Sequence, residues 1–234
     1  MRPHAAKGSI DVWRIDLGEE ALDGLGGLLC AGERERAARL VRERDRLLWT
    51  RSRGVLRVLL GRYLDRDPRR LRFVLGPYGK PALASETRAQ RCSDQAGRRA
   101  ESGWSGRAGR RPRRRHEGGG HDLSFNLSHS GELMLLAVTA GIEVGVDVER
   151  ARERYEVGFL KEWTRREAIV KCFGTGLARA RIDLDGGLDA VGVDGKGAPW
   201  TAELDVGQDA FAAVAATGGP CELRRLGAPT GSCR

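Results

Sequence analysis

LSFNLSHSGELMLLAVTAGIEVGVDVE, residues 123–149, is the stretch with the clearest period in the chain. Three runs, Leu123–Leu127, Leu133–Thr139 and Glu143–Glu149, are separated by short links that carry Gly131 and Gly141. Apolar runs of this length punctuated by glycine read as strands, and links this short predict an antiparallel meander. In the third run Val144, Val146 and Val148 take one face, which leaves Glu143, Gly145, Asp147 and Glu149 on the other.

Working outward, Ile10–Leu17 alternates apolar and polar residues and reads as a strand. Apolar pairs at 37/38, 40/41, 47/48, 55/56 and 59/60 predict a helix over 33–64, with Gly54 as a candidate break. Leu71–Leu75 is a short strand, and Gly76–Pro81 is a turn by its Gly/Pro punctuation. On the C-terminal side, 164–173 reads as a helix ended by Gly174 and Gly176, followed by strands at Trp200–Val206 and Ala210–Ala216. Helices and strands are mixed without regular βαβ alternation, so the expected class is α+β.

The chain has 234 residues, 40% hydrophobic and 31% charged, a globular balance that excludes collagen, coiled coil and wholesale disorder. Its longest uncharged aliphatic run, Leu133–Val138, falls far short of a bilayer span, and no apolar leader follows Met1. Five scattered cysteines, Cys30, Cys92, Cys172, Cys221 and Cys233, form no Cys-x-x-Cys pair, which argues for reduced thiols over a disulfide framework or a zinc site. Net charge is +9, but residues 85–120 hold ten arginines against four acids and therefore carry +6 of it. The remaining +3 does not mark a nucleic-acid binder. The 85–120 segment has no Ile, Leu, Val, Met or Phe and is expected to be a disordered, solvated loop. An arginine-rich tail for RNA or another anion, or an out-of-frame patch of a GC-rich gene, are the other readings.

Four groups of residues could carry chemistry. Asp147 and Glu149, two apart on a strand, repel each other unless a cation lies between them. Mg²⁺, which takes one or two carboxylates together with substrate phosphates, would suit; a solvated edge-strand face is the alternative. Glu167 and Lys171 lie one helical turn apart and could grip a metal-bound phosphate. Thr164 and Glu167 equally fit a capping box, with Trp163 and Ala168 as its hydrophobic staple. His129 between Ser128 and Ser130 offers imidazole and hydroxyl donors to a phosphate, or is a plain surface turn; no Gly-x-Ser-x-Gly nucleophile elbow is present. Lys80, between Gly79 and Pro81, is a point charge on a rigid turn, suited to a phosphate or to solvent.

Taken in order, Gly79-Lys-Pro81, Phe125-Asn-Leu-Ser-His-Ser130, Val144-Gly-Val-Asp-Val-Glu149, Trp163-Thr-Arg-Arg-Glu-Ala-Ile-Val-Lys171 and Gly174-Thr-Gly-Leu177 form a set. It resembles the phosphopantetheinyl transferase family, and within it the pseudo-dimeric type that activates polyketide and nonribosomal peptide synthetases. The resemblance covers about residues 10–84 and 121–217. It implies two similar α+β halves, 1–84 and 121–234, around the 85–120 insertion, related by a pseudo-two-fold with the active site between them. The implied reaction moves the phosphopantetheine arm of coenzyme A onto a serine of an apo acyl or peptidyl carrier protein, releasing adenosine 3′,5′-bisphosphate. Carried over residue by residue, Asp147, Glu149 and Glu167 are the implied Mg²⁺ ligands, and Glu167 and Lys171 the implied catalytic pair. Ser128, His129 and Lys171 are implied at coenzyme A phosphates, with Lys80 and Pro81 at the adenine and 3′-phosphate end. A cytoplasmic monomer without membrane or nucleic-acid partners is the matching expectation. The sequence departs from the family pattern in Arg166, where a lysine is usual, and in the 13 residues between Glu149 and Trp163, where a longer stretch with its own helix is usual. An inactive remnant that only binds coenzyme A or carrier, and an arginine-rich nucleic-acid binder, are the competing readings.

Overall fold

The computed structural model describes residue 3 and residues 5–76, 79–84, 123–151, 156–174 and 198–227. The 85–120 segment and Gly176 lie outside them. The fold is α+β. Strand β1 (Ser9–Asp16) leads through two 3₁₀ turns to helices α1 (Ala31–Ala38) and α2 (Glu43–Leu64). The hairpin β2 (Phe73–Leu75) and β3 (Pro81–Leu83) follows, then β4 (Leu123–Ser130), β5 (Leu133–Ala140) and β6 (Val144–Arg150). Helix α3 (Val157–Phe173) and strands β7 (Trp200–Leu204), β8 (Ala210–Ala216) and β9 (Glu222–Gly227) complete the order.

Among the described residues there are, beyond the hairpin, two sheets, one ordered β4-β5-β1-β9 and the other β6-β8-β7. The first combines β1 with strands from beyond residue 120, β5 antiparallel on one side and β9 parallel on the other. The two-residue period of β1 and β5 splits their side chains between two cores. Trp13, Ile15, Met134, Leu136 and Val138 meet Val55, Leu56, Leu59 and Leu60 of α2. From the opposite face Ile10, Val12, Leu133 and Leu135 meet the valines of β6 and Val214 of β8. On the far face of the second sheet Ala213 and Ala215 are small enough for α3 to lie close through Ala168, Ile169 and Cys172. The layers therefore run α2, sheet, sheet, α3. Each fully buried aliphatic side chain in them contributes about 1.5–3 kcal/mol.

Four expectations are corrected. The predicted meander stops at β5, because β5 pairs with β4 and β1 and has no free edge for β6, which pairs with β8 instead. Gly54 does not break the long helix: it lies within α2, and a Cβ there would stand 2.4 Å from Leu25 Cβ, so close packing requires the glycine. The break falls between Ala38 and Glu43. Helix α3 begins at Val157 rather than 164, with Glu156 at its N-cap. Thr164 is thus interior and its hydroxyl donates back to Lys161 O, so the Thr164–Glu167 capping box does not form. Finally, β9 was not foreseen; its charged sequence suits an edge strand.

Candidate active site

Edge strands of the two sheets, β4 and β6, run side by side with their residue numbers advancing together. Asn126 Oδ1 accepts from Val146 N–H at 2.9 Å, and Ser128 Oγ donates to Asp147 Oδ1 at 2.8 Å. Ser130 Oγ donates to Glu149 Oε2 at 3.0 Å and accepts from Arg150 N–H at 3.1 Å. Side chains of β4 thus do for β6 what a paired strand would do through its backbone.

Helix α3 closes the site from the other side. A Cβ on Gly145 would lie 2.1 Å from Ala168 O and 2.3 Å from Cys172 N, so only glycine lets α3 rest on β6. That approach brings Lys171 Nζ to 2.5 Å from Asp147 Oδ1 and 3.0 Å from Ser128 Oγ. Asp147 Oδ1 therefore receives two donors, while its Oδ2 is buried with no hydrogen-bond partner. An unsatisfied buried oxygen costs roughly 1–3 kcal/mol, more for a charged group, which makes it a natural place for a ligand.

Glu167 lies one turn before Lys171 and is half-buried. Burial raises its pKa above the usual glutamate value, Asp147 and Glu149 push it further up, and Lys171 pulls it down. All three carboxylates named from the sequence therefore feel one another. His129 stands at the exposed edge of β4. Desolvation by the protein packed beside it lowers its pKa, helped by the charges of Lys171 and Arg53. Its imidazole is thus biased toward the neutral form, which offers one N–H donor. Arg53, on α2 with its guanidinium 5.4 Å from the Trp49 ring centroid, was not found from the sequence, because an arginine on an amphipathic helix carries no signal of its own.

Lys80 and Pro81 stand apart from this group. The Lys80 ammonium donates to Glu143 Oε2 at 2.9 Å and to the carbonyls of Val144 and Cys172 at 3.1 Å each. Val144 precedes Asp147 by three residues, roughly 10 Å along the strand. Pro81 opens β3, opposite Leu75.

No protein-family model matches the chain. Over 198 residues it is 29% identical to the 4′-phosphopantetheinyl transferase HetI of Nostoc sp. (strain PCC 7120), covering 73% of this chain and 70% of that protein. Over 206 residues it is 26% identical to "Putative 4′-phosphopantetheinyl transferase slr0495" of Synechocystis sp. (strain PCC 6803), covering 77% and 68%. Over about three quarters of its length the chain is thus similar to proteins named as phosphopantetheinyl transferases. The resemblance implies Mg²⁺, and the residues can be tested against it. Among the described residues no three His, Cys, Asp or Glu side chains converge as a ready-made metal site. Asp147 Oδ2, however, is a buried carboxylate oxygen without a donor. Mg²⁺ keeps several waters and needs only one or two carboxylates beside substrate phosphates. Asp147 with Glu149 or Glu167 meets that requirement, so the donor set fits.

Proposed function

We propose that this transferase moves the phosphopantetheine arm of coenzyme A onto a serine of an apo acyl or peptidyl carrier protein in a Mg²⁺-dependent reaction. The observation that carries this reading is the meeting of Asp147, Ser128 and Lys171 where β4, β6 and α3 join, with an unpartnered carboxylate oxygen at its centre. Phosphoryl transfer requires mainly positioning and charge neutralisation, which carboxylates on a cation beside a lysine and a histidine can supply.

In this reading Asp147, Glu149 and Glu167 hold Mg²⁺, which neutralises charge on the pyrophosphate. Lys171 turns from Asp147 to a pyrophosphate oxygen. Ser128 and His129 donate to coenzyme A phosphate, and Lys80 and Pro81 border its adenine and 3′-phosphate end. The carrier serine Oγ attacks the phosphorus bearing the pantetheine arm and the bond to the other phosphate breaks, leaving adenosine 3′,5′-bisphosphate. The serine proton passes to Glu167, directly or through a water. The pseudo-two-fold belongs to the same proposal. A helix on a sheet, α2 on the first and α3 on the second, supports two similar α+β units with the site between them. Three of the four strands under α2 come from 121–234, however, so the division does not fall between 1–84 and 121–234. A cytoplasmic monomer acting on secondary-metabolic carrier proteins completes it.

The test is incubation with coenzyme A, Mg²⁺ and an apo carrier protein, followed by mass spectrometry. The carrier is expected to gain the mass of the arm. A thermal shift with coenzyme A but no transfer would establish an inactive remnant, and neither response would end this reading.

A further inference from the structure

We propose that Ser130 is a positioning residue, whose hydroxyl, locked by Arg150 N–H, fixes the Glu149 carboxylate beside Asp147. This rests on the reading of Glu149 as a metal ligand, but the argument starts from β6. Its free edge presents the N–H groups of buried Val146 and of exposed Arg150 at the strand end, and a buried donor such as Val146 N–H requires an acceptor. Asn126 Oδ1 and Ser130 Oγ take those two donors.

For Asn126 the consequence ends there. For Ser130 it does not, because a serine hydroxyl has one proton and normally rotates to suit its surroundings. With its lone pair engaged at 3.1 Å by Arg150 N–H, the proton is directed to Glu149 Oε2 at 3.0 Å. Ser130 is 7% exposed, so water does not compete readily for either bond. Glu149 is only partly buried and has one more side-chain torsion to order than Asp147. Asp147 is already tied by Ser128 and Lys171. Ser130 is therefore the residue of β4 that gives the more mobile of the two β6 carboxylates a defined orientation. Groups that hydrogen-bond a metal ligand from behind typically affect metal affinity or activity 10- to 100-fold, on the order of magnitude expected here.

The experiment compares wild type with Ser130→Ala and Ser130→Thr, measuring the Mg²⁺ concentration that half-saturates both the thermal shift with coenzyme A and transfer to carrier. Ser130→Ala is expected to raise that concentration about tenfold or more in both readouts, and Ser130→Thr, which keeps the hydroxyl, to restore it. If Ser130→Ala does not fold, Ser130→Cys, whose thiol is a weak donor, carries the same comparison. A lowered ligand-free melting temperature with unchanged Mg²⁺ half-saturation overturns the positioning role and leaves the functional reading standing. A wild type that responds to Mg²⁺ in neither readout overturns both.

Discussion

Asp147 is the side chain on which the site turns, since one of its oxygens answers both Lys171 and Ser128 and the other is buried without a donor. Asp147→Asn keeps the shape but gives up the charge that pairs with Lys171 and would hold a cation. We expect transfer to fall about 100-fold or more. Stability should drop by about 1–3 kcal/mol in urea unfolding, the cost of a weakened buried network. The loss stays in that range because Lys171, 29% exposed, can turn to water. A wild-type rate at limiting Mg²⁺ would remove Asp147 from the metal. Glu167 gives the opposite combination. Its folded pKa is raised, chiefly by burial, so the stability it contributes is full below its unfolded value and is lost as pH rises through the folded one. At pH 7 the ionised form therefore costs stability. Glu167→Gln is expected to melt no lower than wild type at pH 7 without ligand, with any gain vanishing as pH falls through the folded pKa toward the unfolded value of 4.5, while transfer is lost. Thermal melts from pH 4 to 8 beside the transfer assay check this; a variant less stable at pH 7 yet still active would show that Glu167 serves the fold instead.

Elements carry their own test, because α3 reaches Asp147 only by lying on Gly145. The atoms that a Cβ would strike, Ala168 O and Cys172 N, are helix backbone and cannot move without moving the helix. Gly145→Ala is expected to cost about 1–3 kcal/mol, the usual range for overpacking a tight contact. It should also impair transfer, since Glu167 and Lys171 ride on the displaced helix. Calorimetry with parallel transfer assays measures both, and an unchanged melting temperature would mean that α3 docks more loosely than this geometry requires. Glycine within a valine-rich strand was visible in the sequence. The helix backbone that makes it necessary was not, because it comes from residues some 25 positions later, at Ala168 and Cys172.

At the scale of the whole molecule, Lys80 ties the β2–β3 hairpin to the start of β6 and the end of α3. Its ammonium, 18% exposed by side chain, already has three acceptors, two of them backbone carbonyls. Lys80→Met should therefore lower ligand-free stability by about 1–3 kcal/mol in urea unfolding. Unchanged stability with weaker coenzyme A binding would instead favour the phosphate role that the resemblance implies. The two-residue period of β1, the existence of β4 and β5 as strands, the valine face of β6, the end of α3 at Gly174 and the order of the motifs could all be read from the chain, because each depends on near neighbours and on which face must leave water. That β6 abandons β5 could not, since it depends on β1 having taken the edge of β5 from more than a hundred residues away. The same holds for the parallel addition of β9, for the three acceptors that engage Lys80 and for the direction of the Ser130 proton. Local pattern determines which side chains face a core; only packing between distant segments decides which backbone edges and polar atoms remain free, and those free groups make the site.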